Sequence, residues 1–235
     1  MMRSPLEAAA LFHVGPVPIT AQVVTTWAIM AVLAVGSWLV TRRLRIEQPG
    51  RLQALAEWLI ESVENQIRGT MRVEPQPYLP LIGAIFLYIL FANLSSLVPG
   101  NEPPTAHLET DAALALIVFC SVIGFGIRKR GLGGYLKSFA DPSWVMVPLN
   151  FVESVTRTFS LMVRLFGNIM SGVFVIGIVI SLAGLLVPIP FMALDILIGI
   201  IQAYIFAVLA MVFIGAAVGD GEIDSPLTGK KKEKA

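Results

Sequence analysis

Charge is what this chain has least of. Asp, Glu, Lys and Arg make up 14% of its 235 residues, against 56% hydrophobic residues. Ordinary globular domains carry about 25% charged residues. A soluble chain of this length lacks the charge to cover its surface. The net charge of +1 excludes a global field for nucleic acid or for an acidic partner. One cysteine, Cys120, excludes an internal disulfide and any multi-cysteine metal site. It lies in an apolar run and reads as a small packing residue. The only histidines, His13 and His107, fall in a terminal tail and a loop and read as surface residues. There is no Walker-type glycine loop, no nucleophile motif and no metal-ligand cluster. The expectations are therefore no cofactor, no metal, no catalytic residue, and neither binding nor hydrolysis of nucleotide by this chain alone. The N-terminus lacks the look of a cleaved signal, because its first apolar stretch, near 17–41, is long enough to remain as a span.

What charge there is comes in clumps, at 42–74, 101–111, 128–141 and 220–235. Between them run apolar stretches near the ~20 residues that cross hydrocarbon as a helix. The pattern predicts an all-α polytopic membrane protein forming a single membrane domain. Span one covers about 19–40 and stops at Thr41-Arg42-Arg43-Leu44-Arg45. Over 50–69 the pattern changes. Leu52, Leu55, Leu59, Val63 and Ile67 recur at three- and four-residue steps, with Glu57, Glu61, Glu64 and Arg68 opposite. That is an amphipathic helix, too polar to span, suited to the membrane surface.

Span two covers about 78–98 and closes at Pro99-Gly100. Span three is shorter, about 112–127, and ends on Arg128-Lys129-Arg130. A glycine-rich connector, Gly131 to Gly134, leads to a long segment over 147–187 that has no proline between Pro148 and Pro188. As one helix it is roughly 60 Å long, about twice the hydrocarbon thickness. It must tilt, bend or run partly along the membrane plane. Pro188 and Pro190 turn the chain into a last helix over 191–218, so that two long tilted helices form a C-terminal hairpin. The polar tail 220–235 reads as disordered.

Lys and Arg set orientation. The segments after span one, after span three and at the C-terminus are basic, whereas 101–111 has Glu102, Glu109 and Asp111 and neither Lys nor Arg. Five spans with the N-terminus outside and the C-terminus in the cytoplasm satisfy all of these together. Six would place Lys230 to Lys234 outside. The absence of an internal repeat argues against an inverted-repeat transporter.

Arg164 is the residue that this solvent makes expensive. It lies far from either end of an apolar segment. A charge at bilayer depth costs about 2.5–3.5 kcal/mol on insertion scales, and a guanidinium cannot discharge. Counting by threes and fours puts Arg157, Ser160, Gly167, Asn168 and Ser171 near it on one helix face. Gly167, Ser171 and Gly172 let another helix pack closely or slide past. Snorkelling to an interface and a static buried ion pair are the structural alternatives to a working charge. On the last helix Asp195, Gly199, Gln202 and Phe206 follow at steps of four, three and four. Asp195 is either a carboxylate on an ion path or a partner for the positive helix N-terminus. Gln202 reads as an interhelical hydrogen-bonder. Glu153 either pairs with Arg157 or lines a cytoplasmic aqueous mouth.

The string Arg164-Leu165-Phe166-Gly167-Asn168 followed by Gly172, with Gln202-Ala203-Tyr204-Ile205-Phe206 one hairpin later, resembles subunit a of the F-type ATP synthase membrane sector. The Pro148-Leu149-Asn150-Phe151-Val152-Glu153 lead-in and Asn93-Leu94 also fit, and the likeness covers about 20–220. The resemblance implies a stator whose two long helices wrap a rotating ring of c subunits, with peripheral-stalk b subunits and the remaining synthase subunits as further partners. It implies that Arg164 faces the ring carboxylate and that two aqueous half-channels bring H⁺ or Na⁺ to the ring from opposite sides. It further implies that Asn168, Asp195, Gln202 and Glu153 attend the ion path, and that Ser160, Gly167, Ser171 and Gly172 form the ring-facing surface. A bacterial inner membrane suits the lysine and arginine bias. One departure stands out. The ionisable residue that many family members carry just after the string is Val173 here, leaving Asp195 as the acid of the outer half-channel. A self-contained transporter and a non-transporting scaffold are the competing readings.

Overall fold

The computed structural model describes residues 10–14, 17–42, 50–97, 103–140, 146–184 and 187–219. The chain begins with a short antiparallel hairpin, β1 (Ala10–Val14) and β2 (Val17–Thr20). Six helices follow: α1 (Ala21–Thr41), α2 (Arg51–Met71), α3 (Leu79–Leu94), α4 (Leu108–Ala140), α5 (Met146–Ala183) and α6 (Pro188–Val218). Short 3-10 turns at Ser95–Leu97 and Pro104–Ala106 flank the α3–α4 connection. The fold is that of a polytopic all-α membrane protein. Stretches of α1, α4, α5 and α6 are long and apolar enough to cross a membrane; α3 is apolar but shorter, with 16 residues.

Several boundaries differ from the sequence reading for physical reasons. Residues 17–20 pair in the hairpin, and the first helix starts at Ala21. The first part of α4 ends just after the basic cluster, at a kink on Gly131, and a second helical part runs on to Ala140, so the glycine-rich connector is reduced to that kink. Gly131 alone leaves helical geometry, at φ +73°, a value glycine tolerates. The long C-terminal helices are Met146–Ala183 and Pro188–Val218, with Pro188 at the first helical position of α6, where a missing N–H costs nothing. The tail 220–235, the basic residues Arg43 and Arg45, and the chain before Ala10 lie outside the described residues.

Helices α3 to α6 share one core. Ile85 and Ile89 of α3, Leu114 and Val118 of α4, Leu161 and Leu165 of α5, and Phe206 of α6 are buried together. A second cluster joins Ile67 and Met71 at the end of α2 to Tyr78, Ile82, Met211 and Ile214. The amphipathic pattern of α2 is thus divided in use. Its C-terminal turns pack on the bundle, while Leu52, Leu55 and Trp58 stay exposed. Helix α1 is peripheral and exposes Trp27, Val32 and Trp38. Apolar exposure on this scale is foreign to soluble monomers and normal where lipid or a partner subunit is the neighbour.

Two polar devices hold the bundle ends. Arg130, at the end of the first part of α4, donates through Nε to Val218 O at 3.3 Å, placing a cation at the negative C-terminus of α6. At the other end Asn93 is buried. Its Nδ2 donates to Gly199 O at 2.8 Å, and its Oδ1 accepts from Thr105 Oγ1 at 2.8 Å. A Cβ at Gly199 would stand 3.1 Å from Asn93 Cβ, so α3 and α6 approach closely there. Replacing Asn93 by Ala leaves the buried Thr105 hydroxyl unpaired. We expect Asn93→Ala to destabilise the folded protein by about 2–3 kcal/mol, read as a lowered thermal midpoint in detergent. Asn93→Asp, which keeps the acceptor and loses the donor, is expected to restore part of the loss.

Candidate functional site

Helix α5 is held by one face and open on the other. Leu161, Leu165 and Ile169 are buried at a four-residue step, and the first two enter the shared core. That fixes the rotation of the helix about its own axis. Ser160, Arg164, Gly167 and Ser171, at steps of four, three and four, then fall on the exposed side. Arg164 stands near the midpoint of the 38-residue helix. Among the described residues it forms no ion pair. Neither a helix-end snorkelling position nor a locked internal pair describes this geometry. Asn168 is turned partly inward and is half-buried, and its Nδ2 is a buried donor with no partner among the described residues.

The lower half of this face borders an open groove of about 540 Å³ between α5 and α6. Glu153, Arg157, Ser160 and Arg164 line it from α5, and Leu209 and Phe213 from α6. Glu153 pairs with Arg157 one turn on, and the Arg157 guanidinium sits 5.4 Å from the Phe213 ring centroid. Both members of the pair are well exposed, so its net contribution to stability is small. What it adds is local: a polar lining that leads to the Arg164 level on an otherwise apolar wall.

Beyond Arg164 the two helices touch. Asp195 of α6 is half-buried with its carboxyl against Gly172 of α5: a Cβ there would lie 2.1 Å from Oδ1. A side chain at 172 would have to push that carboxyl aside, so Gly172 leaves the room in which it stands. Gln202, two turns further along α6, is buried, and its Nε2 has no partner among the described residues. The structure therefore brings Gly172 to Asp195, and Glu153 to Arg164 along one groove. It does not bring Asp195 or Glu153 into an ion pair with Arg164. Val173 faces outward, 46% exposed.

Two residues near the α3–α4 connection were misjudged from sequence. His107 is half-buried, with Nε2 at 2.8 Å from Gln22 Nε2, and is no free surface histidine. Asp111, read as part of an acidic loop, is in the first turn of α4 and is fully buried. The available signal was its place against the apolar run that opens at Ala112. Cys120 is exposed on α4 rather than packed inside the chain.

Comparison with known proteins places this chain in a family. Residues 23–215 match the family model described as ATP synthase A chain. The protein named "ATP synthase subunit a 2" of Bradyrhizobium sp. is 61% identical over 219 residues, covering 93% of this chain and 98% of that one. "ATP synthase subunit a" of Albidiferax ferrireducens is 44% identical over 98% of this chain and 100% of its own. "ATP synthase subunit a 2" of Acaryochloris marina is 45% identical over 86% and 87% respectively.

The Gly172–Asp195 contact yields a prediction. Gly172→Ala displaces the Asp195 carboxyl and is expected to cost about 1 kcal/mol, the low end of overpacking, measured by thermal unfolding of the purified complex. In the double variant with Asp195→Ala the two losses should fall short of their sum by at least about 0.5 kcal/mol. Strict additivity would deny the contact.

Proposed function

The chain belongs to the ATP synthase A chain family, the membrane-sector subunit of the F-type ATP synthase, and from that footing we propose that it is the ion-translocating stator of a rotary complex. The observation that carries the reading is Arg164: a permanent charge at the middle of an apolar helix, on an exposed face of small residues, with no ion pair among the described residues. Such a charge must face a counter-charge, a wet cavity or both, and no acid of the described residues pairs with it. A carboxylate on a ring of c subunits, sliding past Ser160, Gly167 and Ser171, supplies the counter-charge. At an effective dielectric of 20 and ~4 Å, two unit charges interact by about 4 kcal/mol. That releases a proton or Na⁺ from an arriving carboxylate and still lets the ring move on.

Two half-channels follow from the same face. The groove holding Glu153 and Arg157 is the cytoplasmic one, ending at Arg164. The outer one reaches the ring past Asp195, where Gly172 leaves room for the carboxyl, with Asn168 and Gln202 offering buried donors. Arg164 between them blocks direct leakage. In this reading the N-terminus is outside and the C-terminus cytoplasmic, in a bacterial inner membrane. The exposed apolar surface of α2 and α1 meets lipid and the peripheral-stalk b subunits, and ATP is made or hydrolysed by partner subunits.

The test uses the assembled complex in membrane vesicles. Arg164→Ala should reduce ion-driven ATP synthesis by a factor on the order of 1,000, the rate equivalent of about 4 kcal/mol, while the c ring still co-purifies. Normal coupled synthesis in that variant would sink the stator reading. Passive ion flux through the purified chain alone in liposomes would favour a self-contained channel instead. Asp195→Asn should slow ion flow from the outer side by at least about tenfold with complex yield unchanged, and unaltered flux would remove Asp195 from the path.

A further inference from the structure

Asp111 is ionisable, wholly inside the protein and so far without a task. Its side chain is fully buried, and neither carboxyl oxygen has a hydrogen-bond partner among the described residues. Burial of a carboxyl without partners is costly, and asparagine or leucine would close the same turn of α4 with less strain on the fold. A buried acid kept at such a cost inside a membrane bundle is a functional group by default.

Its surroundings are polar in a region where the bundle is otherwise apolar. His107 caps α4, its carbonyl accepting from the Thr110 and Asp111 amides at 3.1 and 3.3 Å. Gln22 of α1 reaches the His107 ring. Tyr88 of α3 lies within electrostatic reach of Asp111, and its hydroxyl donates to Thr26 of α1 at 3.3 Å. One turn beyond Asp111, Leu114 and Ala115 enter the core shared with Leu165 of α5 and Ala203 and Phe206 of α6. The two other unpartnered buried groups of the described chain, Asn168 Nδ2 and Gln202 Nε2, belong to those same two helices, each one turn or less in sequence from a residue of that core. Asp111 thus stands at the α3–α4 end of the bundle, one turn from residues that share a core with α5 and α6.

We propose that Asp111 is a proton-relay residue of this chain, carrying protons from the α3–α4 end of the bundle toward the Arg164 face. The inference rests on the stator reading, in which that end faces outside. In the relay the Asp111 O–H bond breaks and its proton passes inward to the next acceptor, the Asp195 carboxylate or water before it. The electron pair stays on the Asp111 carboxylate, which takes a replacement proton from the outer aqueous phase. No oxidant, reductant or metal enters. The ionisable groups on elements packed around Asp111 are Tyr88 on α3, Glu109 and His107 at the start of α4, Glu153, Arg157 and Arg164 on α5, and Asp195 and Tyr204 on α6. α1 contributes only neutral Gln22 and Thr26.

The experiment measures ATP synthesis by the assembled complex in vesicles without Na⁺, at a fixed imposed potential, as the pH of the outer-side compartment is varied. Asp111→Asn should lower the rate by about tenfold or more and flatten its dependence on that pH, at wild-type complex yield. Asp111→Glu should restore most of the rate with a displaced pH profile. A wild-type rate and profile in Asp111→Asn overturns the proposal. So does an Asp111→Glu complex with an unmoved profile when Asp111→Asn fails to assemble, and failure of both variants to assemble marks a packing residue and overturns it as well. Arg164→Ala, measured in parallel, separates the two levels: if it is inactive while Asp111→Asn is normal, only the relay falls; if it is active, the stator reading falls too.

Discussion

A guanidinium in an apolar helix is the constraint on which the other features depend. Arginine stays charged at any accessible pH, so neutralisation is closed to it as a way of entering hydrocarbon. The fold answers by direction. Leu161, Leu165 and Ile169 commit one face of α5 to the bundle, and Arg164 is thereby turned outward, on a strip of Ser160, Gly167 and Ser171. Among the described residues the carboxylates of this part of the chain form no ion pair with Arg164. Glu153 is paired with Arg157, Asp195 is seated on Gly172, and Asp111 is enclosed at the far end of the bundle. In the proposed reading this fixed charge, with no ion pair among the described residues, meets a partner on another chain, and a face of small side chains lets that partner pass close.

Helix α6 is what keeps this face in register with the rest. Its contacts change along its length, and each is a close one. Asp195 meets α5 at Gly172, Gly199 meets the Asn93 side chain of α3, and Gly215 meets Met71 of α2. Its C-terminus is tied to Arg130 of α4. An apolar bundle in lipid gains little from the hydrophobic effect between helices, so close packing and buried hydrogen bonds carry the specificity. The Asn93 amide, satisfied on both sides by Gly199 and Thr105, is of that kind.

The parts of the fold legible in the sequence were those that a change of solvent writes into composition. Apolar runs near Arg42, Arg128 and Pro188 lie in helices α1, α4 and α6, though α4 extends beyond its apolar run at both ends. Arg164 was legible because a lone charge in such a run has few bland explanations. What failed to show was whatever depends on which side of a helix faces inward near its end. Asp111 follows Glu109 in a stretch with the composition of a loop, and only the rotation of α4 sends one acid into the bundle while Glu109 stays exposed. The Gln22–His107 contact joins residues 85 apart, and no local pattern reports such a pair. The hairpin at 10–20 was hidden because Pro16 and Pro18 read as turn residues. A proline at 18 is compatible with an edge strand, which need not donate along its outer side.

The charged positions differ in kind, and the difference fits the proposed division of work. A gate that must hold against leakage at every pH needs a charge that never titrates, and only arginine meets that condition at membrane depth. A path that must load and unload needs groups that can take up and release a proton, and carboxylates are such groups. The chain places its one arginine of the first sort at the middle of α5, and acids of the second sort at Asp195 and Asp111, on other helices. Had an acid shared the exposed strip of α5 beside Arg164, the two would pair within the chain, the guanidinium would be satisfied, and a passing ring carboxylate would find nothing to bind. The strip itself carries Ser160, Gly167 and Ser171 beside Arg164 and no carboxylate. The separation of these acids from the fixed charge, an observation about the sequence, is what the proposed mechanism requires.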